Sequence, residues 1–137
     1  VDKVPAVVVL AGGLYAYYPR VNAEIIASIV RGGGTVMSEQ LWRQPCYPSY
    51  FPSRNRIIAG LSDCVLVMQA AQRSGALITA RRALDQGRDV AVLTHHEQDV
   101  RANGSLALVL DGATPFASAH EIVEVIGTHY SHLGSTL

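Results

Sequence analysis

The chain has 137 residues, 49 % of them hydrophobic and 16 % charged, with a formal net charge of zero. That is the size of one domain with its own core, and the balance excludes a disordered chain. No apolar run reaches the roughly 18 residues of a membrane span, no signal-peptide pattern opens the sequence, and two cysteines make neither a zinc pattern nor a disulfide framework.

These features point to the cytoplasm. The first residue is Val1, and a strand follows almost at once, so the expectation is a piece of a longer protein.

Residues 6 to 11, AVVVLA, are a short continuous apolar run that ends in Gly12-Gly13. This predicts a strand buried on both faces and then a turn. In YPRVNAEIIASIVRGGG, Ile25, Ile26, Ile29 and Val30 recur at helical spacing, and Gly32 to Gly34 close the helix. TVMSE, 35 to 39, is a second strand. Residues 40 to 53 carry three prolines and four aromatics and read as a long ordered loop. RNRIIAGLS then reads as a short helix with Ser53 as N-cap.

CVLVMQA, 64 to 70, is a third buried strand. GALITARRALDQG, 75 to 87, is a helix capped by Ser74 and closed by Gly87. DVAVLT, 89 to 94, is a fourth strand, and 95 to 103 are a polar loop. SLALVLDGA, 105 to 113, reads as a helix ending at Gly112. ASAHEIVEVIG, 117 to 127, is a last amphipathic helix before a tail expected to fray.

Apolar strands alternating with helical crossovers predict a parallel sheet covered on both faces. The fold class is α/β, a Rossmann-like three-layer sandwich with a mainly parallel sheet. It is expected to be a truncated domain over residues 1–130, with 131–137 as tail.

The zero net charge hides an asymmetry. From Arg43 to Arg88 there are seven arginines and no lysine against Asp63 and Asp85, a net +5. The rest of the chain carries −5. Such a split can mark a polyanion site. Arginine suits bidentate phosphate recognition, although coding bias yields the same ten-to-one excess over lysine. Arg54, Asn55 and Arg56 precede the apolar residues Ile57, Ile58 and Leu61. Cations at a helix start oppose the helix dipole, which makes sense if they meet a negative ligand.

In open parallel sheets, ligands lie beyond the carboxyl ends of the strands. Three segments arrive there: Gly12-Gly13 after the first strand, QRSGALIT after the third, and THHEQDVRANG after the fourth. Ser74, Gly75 and Thr79 offer free amides and close approach to an anion. The competing role of a serine–glycine at a helix start is a plain cap. No G-x-G-x-x-G and no P-loop lysine motif occurs, which disfavours a dinucleotide dehydrogenase or an NTPase. His95-His96 and His129 with His132 make no metal set, and no cofactor is implied.

FPSRNRIIAGLS, a buried strand, then SGALITARRALDQGRDVAVL together resemble the DNA-processing protein A family, DprA or Smf. LAGGLYAYYPRVNAEI is similar to the family's G-x-x-x-x-Y-P-x-x-N segment. TVMSE resembles its strand ending in Ser-Glu, and NGSLALVLDGA its closing segment. The resemblance covers residues 6 to 116. This chain departs from the pattern at Gln69, usually acidic, at Thr94-His95, usually Pro-Gly, and near Leu106, where an asparagine is common. The family's early G-S-R-type and S-G-x-A-x-G-x-D segments are absent.

The resemblance implies a single-stranded DNA-binding protein of natural transformation and recombination. Such a protein is not an enzyme, helps load the RecA recombinase and often dimerises. The residues implied for nucleic acid or phosphate are Arg54, Asn55, Arg56, Ser74, Gly75, Thr79, Gly12 and Gly13. Ser38, Glu39, Arg43 and Arg73 would support them, with Glu39 ordering Arg54 or Arg56. Arg81 and Arg82 either extend the basic track or solvate a helix face. Among the aromatics, Tyr17 or Tyr18 beside Pro19 is the candidate for base stacking, while Phe51 reads as core.

Two other classes compete. One is a nucleoside-phosphate enzyme of the lysine-decarboxylase-like phosphoribohydrolase type. It shares the fold, but its P-G-G-x-G-T-x-x-E motif is absent. The other is a scaffold for protein contacts, with SLALVLDGATPF as a possible dimer edge.

Overall fold

A computed structural model of the chain describes residues 6–94, 99 and 102–130. The expected loop after the fourth strand, with His95 and His96, lies largely outside the described residues, as do His132 and the 131–137 tail. The chain divides into two compact units, residues 1–58 and 59–137.

In the first unit, β1 (Val7–Leu10) pairs in parallel with β2 (Thr35–Ser38), from Val7 opposite Thr35 to Leu10 opposite Ser38. A 3-10 turn at Arg20–Asn22 leads into α1 (Ala23–Arg31), which crosses back to β2. Val9, Leu10 and Ala11 are buried, but Ala6 and Val7 are exposed, so the run is not covered on both faces along its whole length as its unbroken apolar character predicts. No residue of α1 is buried.

α2 (Tyr50–Leu61) follows the loop after β2. It begins four residues earlier than the sequence indicates, at Tyr50 rather than Arg54. Ser53 is therefore not its N-cap: it lies inside the helix, and its Oγ donates to the Ser49 carbonyl at 3.4 Å. Pro52 falls in the first helical turn, where a missing N–H leaves no partner unserved. Arg54 and Arg56 thus sit in the second turn rather than at the helix mouth, so the dipole argument for them weakens.

The second unit holds a three-stranded parallel sheet in the order β3-β4-β5. Its strands are β3 (Cys64–Val67), β4 (Asp89–Leu93) and β5 (Thr114–Phe116). β5 is a strand the sequence does not announce. It is three residues long and carries Pro115, a residue that belongs at sheet edges. α3 (Gly75–Asp85) buries Leu77, Ala80 and Ala83, a three-residue spacing that keeps one face on the sheet. These pack with Ala59, Val67, Ala70, Val90, Val92, Leu108 and Ala113 into one core. α4 (Asn103–Leu110) supplies Leu108, and α5 (Ala119–Tyr130) follows β5. No helix among the described residues is long and apolar enough to cross a membrane.

Candidate functional site

The carboxyl ends of β1 and β2 meet in the first unit. Ser38 Oγ donates to the Gly12 carbonyl at 2.7 Å and accepts from the Gln40 amide at 3.0 Å. One hydroxyl thereby ties the two strand ends together. Gly13 is there for space. A Cβ on it would lie 2.1 Å from the Leu41 carbonyl oxygen and 2.6 Å from that of Trp42. The Gly13 amide donates to Gln44 O at 2.9 Å, and the Tyr15 amide to Trp42 O at 2.8 Å. The loops after β1 and β2 are laced by backbone, which only a glycine at this point permits.

α2 brings its polar residues to the same strand ends. Arg54 Nη1 donates to the Val9 carbonyl, and Nε to Asn55 Oδ1 at 3.1 Å. The guanidinium also lies 5.7 Å from the Phe51 ring centroid, in cation–π range. Burial pushes the Arg54 guanidinium below its ordinary value, with the charge of Cys46 opposing that shift. Arg54 is half-buried and anchored. Arg56 is more open and pairs with Glu39. Glu39 therefore orders Arg56, not Arg54. Arg43 is exposed, and its side chain makes no ion pair or hydrogen bond with a described residue. The first unit thus gathers Gly12, Gly13, Ser38, Glu39, Arg43, Arg54, Asn55 and Arg56.

Ser74, Gly75, Thr79 and Arg73 belong to the second unit. Ser74 Oγ accepts from the Ala76 amide at 3.2 Å, the N-cap the sequence indicates. Its oxygen is engaged in that cap, while Gly75 is exposed and has no heavy atom within 4 Å of a Cβ built on it. A cavity of about 400 Å³ borders this helix start, lined by Gln72, Arg73, Ser74 and residues of α3 down to Asp85. In it, Arg81 pairs with Asp111 at 3.4 Å and Arg82 with Asp85 at 3.8 Å, both on the surface. Arg73 has no such partner among the described residues.

Ser105 is one residue that sequence reasoning missed. It is buried, and its Oγ accepts from the Ala70 amide at 3.1 Å. The amides of Gly104 and Ser105 in turn donate to Ala70 O at 2.9 and 3.1 Å. This clasp fixes the chain leaving β3 toward Ser74. Only its position in NGSLAL, beside a glycine at a helix start, signals it in the sequence. Gln69, where an acid is usual, donates to Asp99 at 3.3 Å. Among the described residues no group of three His, Cys, Asp or Glu is placed to hold a metal.

Parallel strands with helical crossovers, and amides and arginines at the strand ends, define an α/β protein of the Rossmann-like kind. The chain belongs to the DNA recombination-mediator protein A family, whose pattern matches residues 1–127. It is 41 % identical over 127 residues to protein Smf of Escherichia coli, covering 91 % of this chain and 34 % of that protein. It is 39 % identical over 116 residues to the DNA processing protein DprA of Bacillus subtilis, covering 85 % of this chain and 39 % of that one.

Two solved structures share the fold. DNA processing protein A of Streptococcus pneumoniae matches with a TM-score of 0.73 and 35 % identity, over 86 % of this chain and 41 % of its own. That of Helicobacter pylori, described for its unique single-stranded DNA binding mode, matches with a TM-score of 0.77 and 25 % identity, over 90 % and 57 %. The chain therefore spans well under two thirds of these relatives.

Proposed function

We propose that this chain binds single-stranded DNA through its phosphates, as part of a mediator of natural transformation and recombination. The observation that carries the reading is the cluster at the ends of β1 and β2. There Arg54 is fixed by Val9, Arg56 is oriented by Glu39, and exposed Arg43 has no carboxylate partner among the described residues. Fixed guanidinium groups at the strand ends hold a phosphate backbone without reading sequence, whereas Gly12 and Gly13 are buried against the 41–46 loop and serve packing there. The single-strand binding of the Helicobacter pylori relative supports it. Ser74, Gly75, Thr79 and Arg73 would give a second phosphate position at the start of α3.

No pair of nucleophile and base belongs to this reading, which is of a binding protein and not an enzyme. Loading of a RecA-type recombinase, a homodimer and a cytoplasmic setting complete it. Its test is fluorescence anisotropy of a labelled oligo-dT at two salt concentrations. Binding should weaken with salt and fall further in Arg56→Ala. No binding at low salt, with the chain folded, overturns it.

A further inference from the structure

Tyr15 and Trp42 stack on each other with ring centroids 5.5 Å apart and planes 20° apart. They are nonetheless 70 % and 64 % exposed. Two large rings in core-like contact but left in water are unusual, because burying them is a strong driving force. They are also well fixed. Tyr15 N donates to Trp42 O at 2.8 Å, Gln44 N to Leu41 O at 2.8 Å, and Gly13 lets the two loops touch. Arg43 follows Trp42 directly, exposed and with its side chain unpaired among the described residues. By contrast, Tyr17 is half-buried and Tyr18, though exposed, stacks on no other described ring.

We infer that the Tyr15–Trp42 pair is a stacking ledge for one unpaired nucleobase, with Arg43 meeting the adjoining phosphate. The inference deepens the proposed function and rests on it. The near-parallel rings continue into a base stack without rearrangement. Stacking on a π-face tolerates any base, as sequence-independent binding requires. A cation next to the rings fits a base with its phosphate better than an apolar peptide.

Trp42 is the single tryptophan of the chain, so its fluorescence reports the ledge directly. The full chain is titrated with labelled oligo-dT while anisotropy and tryptophan emission are read together. An abasic oligonucleotide of equal length serves as a phosphate-only probe. Oligo-dT is expected to quench Trp42, and the abasic strand to bind without quenching. Trp42→Ala should weaken oligo-dT binding by roughly ten-fold, within what one stacked base carries, and leave the salt slope unchanged. Trp42→Phe should keep most of the affinity, and far-UV circular dichroism checks that both variants fold.

If anisotropy shows salt-sensitive binding while Trp42 stays bright and Trp42→Ala binds as wild type, the ledge is wrong and single-strand binding stands. If neither probe binds at low salt, both inferences fall.

Discussion

The Arg54 guanidinium donates to the carbonyl oxygen of Val9, 45 residues earlier in the chain. It ties the second turn of α2 to β1, and Phe51 covers it. Arg54 is therefore a fold-holding arginine first. Arg54→Ala should lower unfolding stability by about 1–3 kcal/mol, the cost of leaving a partly buried carbonyl unserved. The urea midpoint measures it. Lysine should restore only part, because it lacks the planar fork that serves Val9 and Asn55 together. An unchanged midpoint in Arg54→Ala would show that the bond is dispensable.

Arg56 behaves differently, since it and Glu39 are both about half exposed. Breaking their pair should change stability by about 1 kcal/mol or less. Binding should respond in opposite directions at the two positions. Arg56→Ala loses a phosphate partner and should reduce the salt slope of oligo-dT affinity by about one. Glu39→Gln removes a competing carboxylate and should tighten binding at low salt. Weaker binding in Glu39→Gln would mean that orienting Arg56 outweighs freeing it.

Two glycines separate packing from ligand approach. Gly13→Ala forces a Cβ against the Leu41 and Trp42 carbonyls and should cost about 2 kcal/mol or more in thermal unfolding. Gly75→Ala meets open space at the first residue of α3 and should be neutral or stabilising by up to about 1 kcal/mol. If Gly75 admits a phosphate, the same variant should bind oligo-dT less well while melting no lower. Full binding by Gly75→Ala would assign that glycine no ligand role.

The Cys64 thiol is pushed up, first by burial and then by the neighbouring Asp89 charge. The folded chain holds that proton to higher pH than the unfolded chain. Stability is therefore intact below the thiol's ordinary value of 9.0 and falls as pH rises above it toward the folded value. Urea unfolding between pH 7 and 10 should show this decline, and Cys64→Ala should flatten it. An equal decline in the variant would place its cause elsewhere.

Much of the architecture was legible because buried parallel strands are short apolar runs. AVVVLA, CVLVMQA and DVAVLT are such runs, and all three form strands, but only β4 is buried over most of its length, while Val7, Leu66 and Met68 are exposed. The cap at Ser74 was legible from its chemistry, since a serine ahead of a helical pattern has one common use. β5 was not, because three residues with a central proline resemble a turn. The start of α2 was misplaced because Pro52 reads as a breaker. In a first turn it is not one.

The sequence by itself determined the alternation of strand and helix, the family and the set of polar residues around the strand ends. Those are properties of local pattern and of motif. Only the tertiary structure decided which task each residue holds. Val9 claims Arg54, Glu39 claims Arg56, and Gly13 lets Tyr15 come to rest on Trp42. Each is a contact between residues 17 or more apart in the chain, set by how strand ends and loops meet in space, which no local spacing encodes.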